Sequence, residues 1–357
     1  MSIFFIYSLY FNGISNSFAQ LIKNDSSKVF PPRLHEIEMA VTELPNERIA
    51  YKMNHYLIKD LVSNQTADII SRYNMEPTIP GPTIVVNEGD KVKITLVNKM
   101  GWGYPSVHTH GAHYTITSDG TIGAQNKVAD EAASPTRSYT YEWDAGNDTA
   151  GSWPFHDHTL GLNNLSKSMH GLETLGLFSS IIINPSDGKV NALVNNVPTI
   201  INVSDIKKDY ILFVNDDVFW GNEIDYSKGG KHKALGINPT LTATNNSIVR
   251  FNIQSTGNEF HNFTTDNINW LKPGTEKVIN SHEIGPLANL VFTVKLNKNA
   301  MYFDSSKINL LGGMDGKIIV ISNSTTTPTT PTTTTTTNNS NFVDGGIHQP
   351  AKNKRMI

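Results

Sequence analysis

From residue 83 to residue 322, apolar positions come in short β-branched and aromatic runs, broken by Gly, Asn, Asp and Pro. Thr83-Ile84-Val85-Val86, Val92 to Val97, Ser138 to Trp143 and Leu177 to Ile183 form a first set. Runs of this length and composition predict strands, with the punctuating residues as turns. No long stretch carries the period of about 3.6 residues of an amphipathic helix. The chain therefore reads as all-β, in the pattern of a sandwich or barrel. The pattern restarts after Asn184-Pro185-Ser186-Asp187-Gly188, with Tyr210 to Asn215, Leu241 to Thr244, Ile248 to Ile253, Leu290 to Val294 and Lys317 to Ser322. Asn87-Glu88-Gly89-Asp90-Lys91-Val92 corresponds to Thr244-Asn245-Asn246-Ser247-Ile248-Val249, each leading into a strand and then a His. The repeat predicts two β-sandwich domains, 50–186 and 190–322. Residues 20–49 are expected to form an N-terminal arm and residues 323–357 a flexible tail.

The ends differ in character from this middle. Residues 1–19 read as a signal peptide, with an apolar core from Ile3 to Phe11 and a small-x-small site at Ser17-Phe18-Ala19. The stretch before the core has no Lys or Arg, so an uncleaved anchor or a buried strand is the alternative. Thr325 to Thr337 is almost entirely Thr and Pro. Such a tract cannot bury apolar surface and behaves as an extended, often O-glycosylated stalk. Asn-x-Ser/Thr sequons recur, at Asn64, Asn147, Asn202 and Asn245 among others. Together these features predict a secreted or cell-surface glycoprotein. No later segment approaches the roughly 18 apolar residues of a membrane span. A net charge of -3 gives no reason to expect a nucleic-acid partner. The chain has no cysteine, which excludes disulfides, thiolate metal sites and Cys nucleophiles together.

Two His-x-His pairs carry the chemistry: His108-Thr109-His110 and His156-Asp157-His158. On a strand, residues i and i+2 share a face, so each pair can present two imidazoles side by side. Imidazole suits copper, zinc, iron and nickel. His113 and His170 read as polar loop histidines, His282 has no motif around it, and Met314 reads as core.

At these positions the chain resembles the multicopper oxidases, and within them the two-domain small laccases. The first half carries Pro80-Gly81-Pro82-Thr83-Ile84, Glu88-Gly89-Asp90, His108-Thr109-His110-Gly111, Ser118-Asp119-Gly120, Trp153-x-x-His156-Asp157-His158 and Gly176-Leu177 in the family's order. The resemblance implies two consecutive cupredoxin-like Greek-key β-sandwich domains. It also implies that His108, His110, His156 and His158 are the first domain's share of a copper cluster, with Tyr114 and Asp119 close behind them. In the family that cluster is completed by the second domain of a neighbouring subunit in a trimer.

The second half departs from the pattern. The family's His-x-x-His-x-His reads His261-Asn262-Phe263-Thr264-Thr265-Asp266, so Thr264 and Asp266 stand where cluster histidines are expected. The segment of the blue-copper Cys reads Tyr302-Phe303-Asp304-Ser305 and continues to Asn309 and Gly313-Met314. Phe303 and Ser305 fall at cluster-histidine positions, Asp304 at the cysteine and Asn309 at a blue-copper histidine. His261 and Met314 persist. Electrons reach the family's cluster through a Cys-containing blue-copper site, so an autonomous laccase is not expected. Three readings stay open. The first domain holds copper, or zinc in its place, with His261 a possible weak additional ligand. Alternatively a homotrimer or a mixed oligomer with a paralogue completes an oxidoreductase site. Or the fold serves as a surface scaffold without chemistry.

Overall fold

The computed structural model describes residues 30–122, 133–134, 136–159 and 172–322. The expected signal peptide, the Thr/Pro tail and His170 lie outside these residues. The first half contains β1 (Arg33–Glu43), β2 (Ile49–Asp60), β3 (Thr66–Asp68), β4 (Ile84–Asn87), β5 (Lys91–Asn98), β6 (His108–Thr109), β7 (His113–Tyr114), β8 (Thr121–Ile122), β9 (Ser138–Asp144), β10 (Gly151–His156), β11 (His158–Thr159) and β12 (Phe178–Asn184). One sheet runs β3-β2-β1-β5-β9-β7 and the facing one β4-β12-β10-β6, with β11 and β8 paired beside them. Between the sheets lies a core that includes Met39, Tyr51, Ile94, Trp143, Phe155 and Ile181.

One sequence expectation is overturned. Residues 33–43 are not part of an arm: β1 lies between β2, antiparallel, and β5, parallel. Ile37, Met39 and Val41 point into the core at every second position, as one half-buried strand requires. The alternation is masked in the sequence by His35, which is fully buried. Its Nδ1 bonds the Tyr56 hydroxyl at 2.9 Å and its Nε2 the Asp90 carboxylate at 3.0 Å. Arg33 also pairs with Asp90, at 2.8 Å, so the buried polar groups are satisfied by one another.

The second half contains β13 (Lys189–Val194), β14 (Val197–Asn202), β15 (Ile206–Asn215), β16 (Val218–Asp225), β17 (Lys231–Ile237), β18 (Leu241–Thr244), β19 (Ser247–Ser255), β20 (His261–Thr265), β21 (Trp270–Leu271), β22 (Val278–Ile279), β23 (Ser281–Ile284), β24 (Asn289–Leu296), β25 (Ala300–Asp304), the short α1 (Lys307–Leu311) and β26 (Asp315–Ile321). A sheet ordered β14-β13-β24-β19-β15-β16-β17 faces one ordered β18-β26-β25-β20-β23. Its core includes Phe219, Phe251, Phe263, Trp270, Phe292 and Tyr302.

Every residue of β12 is buried, and the reason is a third apolar cluster between the halves. Ile181 and Ile183 face the first core, whereas Phe178 and Ile182 meet Ile211 and Phe213 of β15. Strands covered on both faces lose the apolar-polar alternation. Polar contacts join the same surfaces. Gln254 donates to Ser152 and Ser180, each at 2.7 Å, and Asn222 donates to the Gly81 carbonyl at 2.8 Å. Arg250 grips Asp209 through two nitrogens, at 2.5 and 2.8 Å, and reaches Asn184 at 2.9 Å. Among the described residues no helix is long and apolar enough to cross a membrane.

Candidate metal centre

The four expected histidines come together, though not by the route that strand periodicity suggests. β6 is only two residues long and ends before His110, and His156 and His158 belong to different sheets. What aligns the rings is the pairing of β6 with β10, which sets His108 directly across from His156. Thr109 and Asp157, between the members of each pair, are fully buried. His110 stacks on His156, its ring tilted by 16°, with the two Nε2 atoms 3.1 Å apart. One nitrogen from each of His108, His110 and His156 falls within a 4.8 Å set. His158 stands beside them, its ring centroid 5.2 Å from that of His108. Among the described residues its buried Nδ1 has no hydrogen-bond partner.

Two glycines allow this geometry. Gly111 has φ +73°, and a Cβ there would stand 2.2 Å from the Trp153 ring. Gly120 has φ +72°, and a Cβ would meet the Val107 carbonyl at 2.3 Å. Any other residue at either place would combine left-handed backbone strain with a collision. The Gly120 turn brings the Asp119 carbonyl to within 2.6 Å of His108 Nδ1. That nitrogen donates, which leaves His108 Nε2 as the lone-pair atom. Asp119 and Tyr114, expected close behind the site, both flank His108: the Asp119 carboxylate is 3.3 Å from Nδ1 and the Tyr114 ring centroid 5.9 Å from that of His108. Burial and the neighbouring Asp119 push the Tyr114 phenol up to about 12.

Burial, reinforced by the neighbouring imidazoles, pushes His108 down to about 4 and His110 down to about 3. Both are neutral at physiological pH and offer lone pairs, as metal ligands must. His158 is lowered for the same reasons. His156 moves the other way: burial opposes its charge, but the Glu173 carboxylate and the Asp157 carbonyl and carboxylate together outweigh burial and raise it. The donor set, with His108 and His110 neutral at physiological pH, fits an imidazole-preferring metal such as copper.

Glu173 is the site residue that sequence reasoning missed. It lies on a 3-10 turn, Glu173–Leu175, and is 1% exposed. Its Oε2 is 3.3 Å from His156 Nδ1. The signal was there in principle: a single acid inside the apolar run Leu172 to Phe178.

The depressed imidazoles make the metal-free protein acid-sensitive. In the unfolded chain a histidine takes up its proton near pH 6.5. In the fold, His108 and His110 do so only near 4 and 3, and His232, buried and close to Arg72, only near 3. Below about pH 6.5 the unfolded state therefore binds more protons and gains. The raised His156 has the opposite sign, its stabilisation being complete at low pH and lost as pH rises through its folded value. His35, His158 and His282 are lowered in the same sense, so the lowered histidines outnumber the raised His156, and stability falls with acid by about 1.4 kcal/mol per pH unit for each unbalanced histidine. Urea midpoints of metal-free protein between about pH 7 and about pH 5 test this; a flat profile would contradict it. His232→Gln, remote from the site, should flatten the slope in part.

The second half holds a different constellation. His261, Asp304 and Asn309 meet: His261 Nδ1 bonds Asp304 at 2.8 Å, and Asn309 donates to the same oxygen at 2.7 Å. The backbone amide of Asp304 bonds the Met314 carbonyl at 3.2 Å, and Met314 is fully buried. The four positions thus converge as the resemblance implied, but as a carboxylate-centred hydrogen-bond network. Burial alone would raise the Asp304 carboxyl, yet the bonds from Asn309, Ser306, His261 and Asn262 hold it below its usual range. Thr264 faces Phe303 across the β20–β25 pair and bonds Ser281. Asp266 caps the Met301 amide, and Ser305 bonds the Asn262 carbonyl. Among the described residues, the hydrogen-bond partners of the His108, His110 and His156 imidazoles come from residues 110–173 and include none of these.

Comparison with known proteins agrees with this geometry. A family model for multicopper oxidases matches residues 63–187. A probable nitrite reductase-hydroxylamine oxidoreductase fusion protein of Kuenenia stuttgartiensis is 27% identical over 253 residues, 68% of this chain and 28% of that protein. A laccase of Aspergillus fumigatus is 38% identical over 22% of the chain and 13% of its own length. An L-ascorbate oxidase of Cucumis sativus is 32% identical over 31% of the chain and 16% of its own length. The chain thus spans less than a third of the length of these curated relatives. Among solved structures, a multicopper oxidase superposes with a TM-score of 0.51 at 18% identity, covering 81% of this chain and 89% of the other. A copper nitrite reductase from Nitrosomonas europaea gives 0.51 at 17% identity over 81% and 94%. Residues 63–187, which carry the paired histidines, thus match the multicopper oxidase family, and the chain shares its cupredoxin-type sandwich fold with solved members of that family.

Proposed function

We propose that the chain is a copper-binding protein whose first sandwich holds the metal through His108, His110 and His156, with His158 beside them. The observation that carries this reading is the convergence of three imidazole nitrogens within 4.8 Å, two of them on rings held neutral by burial. Copper bound there would supply one-electron redox chemistry. The protein's part is to fix the rings: Asp119 orients His108, the Asp157 carbonyl orients His156, and the Asp157 carboxylate ties Ser106, Thr159 and Leu172 around the site. Zinc shares the ligand preference. Titration with each ion, followed by metal analysis after dialysis, decides between them and tests the reading itself.

The same reading holds that the second sandwich takes no blue copper, so the chain is not an autonomous laccase. Such a site needs a thiolate, and the position is Asp304, already engaged by His261 and Asn309. Copper-loaded protein should therefore lack the intense blue thiolate-to-copper band, and alone it should oxidise phenols no faster than free copper does. A blue homogeneous sample, or rapid oxygen uptake with a phenol, would overturn this.

A second reading is favoured by His158. Among the described residues its buried Nδ1 has no hydrogen-bond partner, and it lies outside the three-nitrogen set, as a ligand shared with another subunit would. On this reading the secreted or surface-held chain assembles with copies of itself or with a paralogue whose intact second domain completes an oxidoreductase site. Co-expression with such a paralogue should yield a hetero-oligomer with more copper per interface. Homo-oligomers alone, with unchanged copper, would leave the single-site reading in place.

A further inference from the structure

We infer that Glu173 is a positioning residue that tunes the metal centre, its buried charge favouring the divalent over the monovalent state of a bound ion. The inference rests on the copper reading above and adds a regulatory element to the same site.

Glu173 is held in place by the fold rather than by the metal. The Leu172 amide donates to the Asp157 carboxylate at 2.8 Å, and the Asp157 amide donates to the Leu177 carbonyl at 2.9 Å. These two bonds clamp both ends of the 3-10 turn that carries Glu173 against the His156-Asp157-His158 segment. The carboxylate is consequently buried beside His156 Nδ1, at 3.3 Å. The same Nδ1 donates at 2.9 Å to the Asp157 carbonyl. The two acceptors play different parts. The carbonyl is enough to place the proton on Nδ1 and leave Nε2 for the metal. The carboxylate adds an acidic group on the far side of the imidazole, away from water. An imidazole backed by a carboxylate is a more basic ligand, and such outer partners affect metal binding nearly as strongly as ligands do. The charge also acts through space. It stabilises a doubly charged ion more than a singly charged one, and burial keeps the effect from being screened.

The test uses full-length protein titrated with Cu(II) and, separately, with Cu(I) under reducing conditions. Glu173→Gln removes the charge and keeps an acceptor of the same shape. Glu173→Met, apolar and of similar length, is a second neutral variant in case the first does not fold. Glu173→Asp keeps the charge. Each neutral variant should lose about 10- to 100-fold in Cu(II) affinity, lose less for Cu(I), and show a raised copper reduction potential. The Asp variant should recover most of the Cu(II) affinity and the lower potential. Equal losses for both ions would mean that Glu173 only supports the local structure, and the inference would fall. So would wild-type values in either neutral variant. Wild-type protein that binds neither ion would instead overturn the copper reading, and this inference with it.

Discussion

Protein carrying His108→Ala and His156→Ala should retain no stoichiometric copper after dialysis, whereas wild-type protein should retain it. The reason lies in the donor count. Three imidazole nitrogens gather within 4.8 Å, and the double substitution leaves only His110 of that set. The loss should exceed the roughly 100-fold that removal of an outer-shell partner can cost. His108→Ala alone is the cleaner single variant, because His108 is partly exposed and its loss leaves Glu173 beside His156. His156→Ala opens a buried space beside Glu173, so its folding must be checked by circular dichroism. The pH profile of binding follows from the same groups. His108 and His110 are already neutral above about 4, so they cost no protons near neutrality. His156 is raised, so it is the ligand whose proton competes with the metal first as pH falls. Copper affinity should therefore begin to fall at or somewhat above pH 6.5 as the solution is acidified, and should rise again on return to neutrality. Copper retained in full by the double variant would refute the assignment of these ligands.

Arg250→Met should destabilise the protein by about 3–5 kcal/mol. Arg250 and Asp209 are both buried, and the fork geometry satisfies both carboxylate oxygens. Asn252 and the Tyr226 hydroxyl complete the shell around Asp209, and Asn184 of the first sandwich takes the remaining guanidinium contact. Removing the arginine leaves a buried carboxylate without its counter-charge, which costs far more than the pair itself contributes. Arg250→Lys keeps the charge but not the planar fork, so it should recover only part. Arg250→Met combined with Asp209→Asn should be more stable than Arg250→Met alone, because no uncompensated charge remains. Equilibrium denaturation of the four proteins reads all of this. A small effect in the single variant would show that water or a shifted side chain reaches Asp209.

The strands legible in the sequence were those with unbroken β-branched or aromatic runs. Ile84–Asn87, Lys91–Asn98, Ser138–Asp144 and Phe178–Asn184 in the first half all lie where such runs stand, as do Ile206–Asn215 and Asn289–Leu296 in the second. β1 escaped notice because a histidine occupies a core position. That histidine is acceptable there only because Tyr56 and Asp90, distant in sequence, satisfy both ring nitrogens. Local pattern cannot report a partner that the fold supplies.

The same division holds at the metal centre. The sequence by itself determined which residues bear the chemistry. It offers two His-x-His pairs and no cysteine, and the family resemblance adds Asp119 and Tyr114 behind the pairs and sets Asp304 and Asn309 against a blue-copper Cys and His. Residue identity alone excludes a thiolate, whatever the chain's shape. Tertiary structure decided how those residues act. The β6–β10 register sets His108 across from His156. Burial turns two imidazoles into neutral donors, and the clamp on Asp157 carries Glu173 to His156. In the second half, folding joins His261, Asp304 and Asn309 into one network. The physical reason is that ligand type is a property of a side chain. Its tautomer, its charge state and its distance to the next donor are set by neighbours that only the folded chain brings within reach.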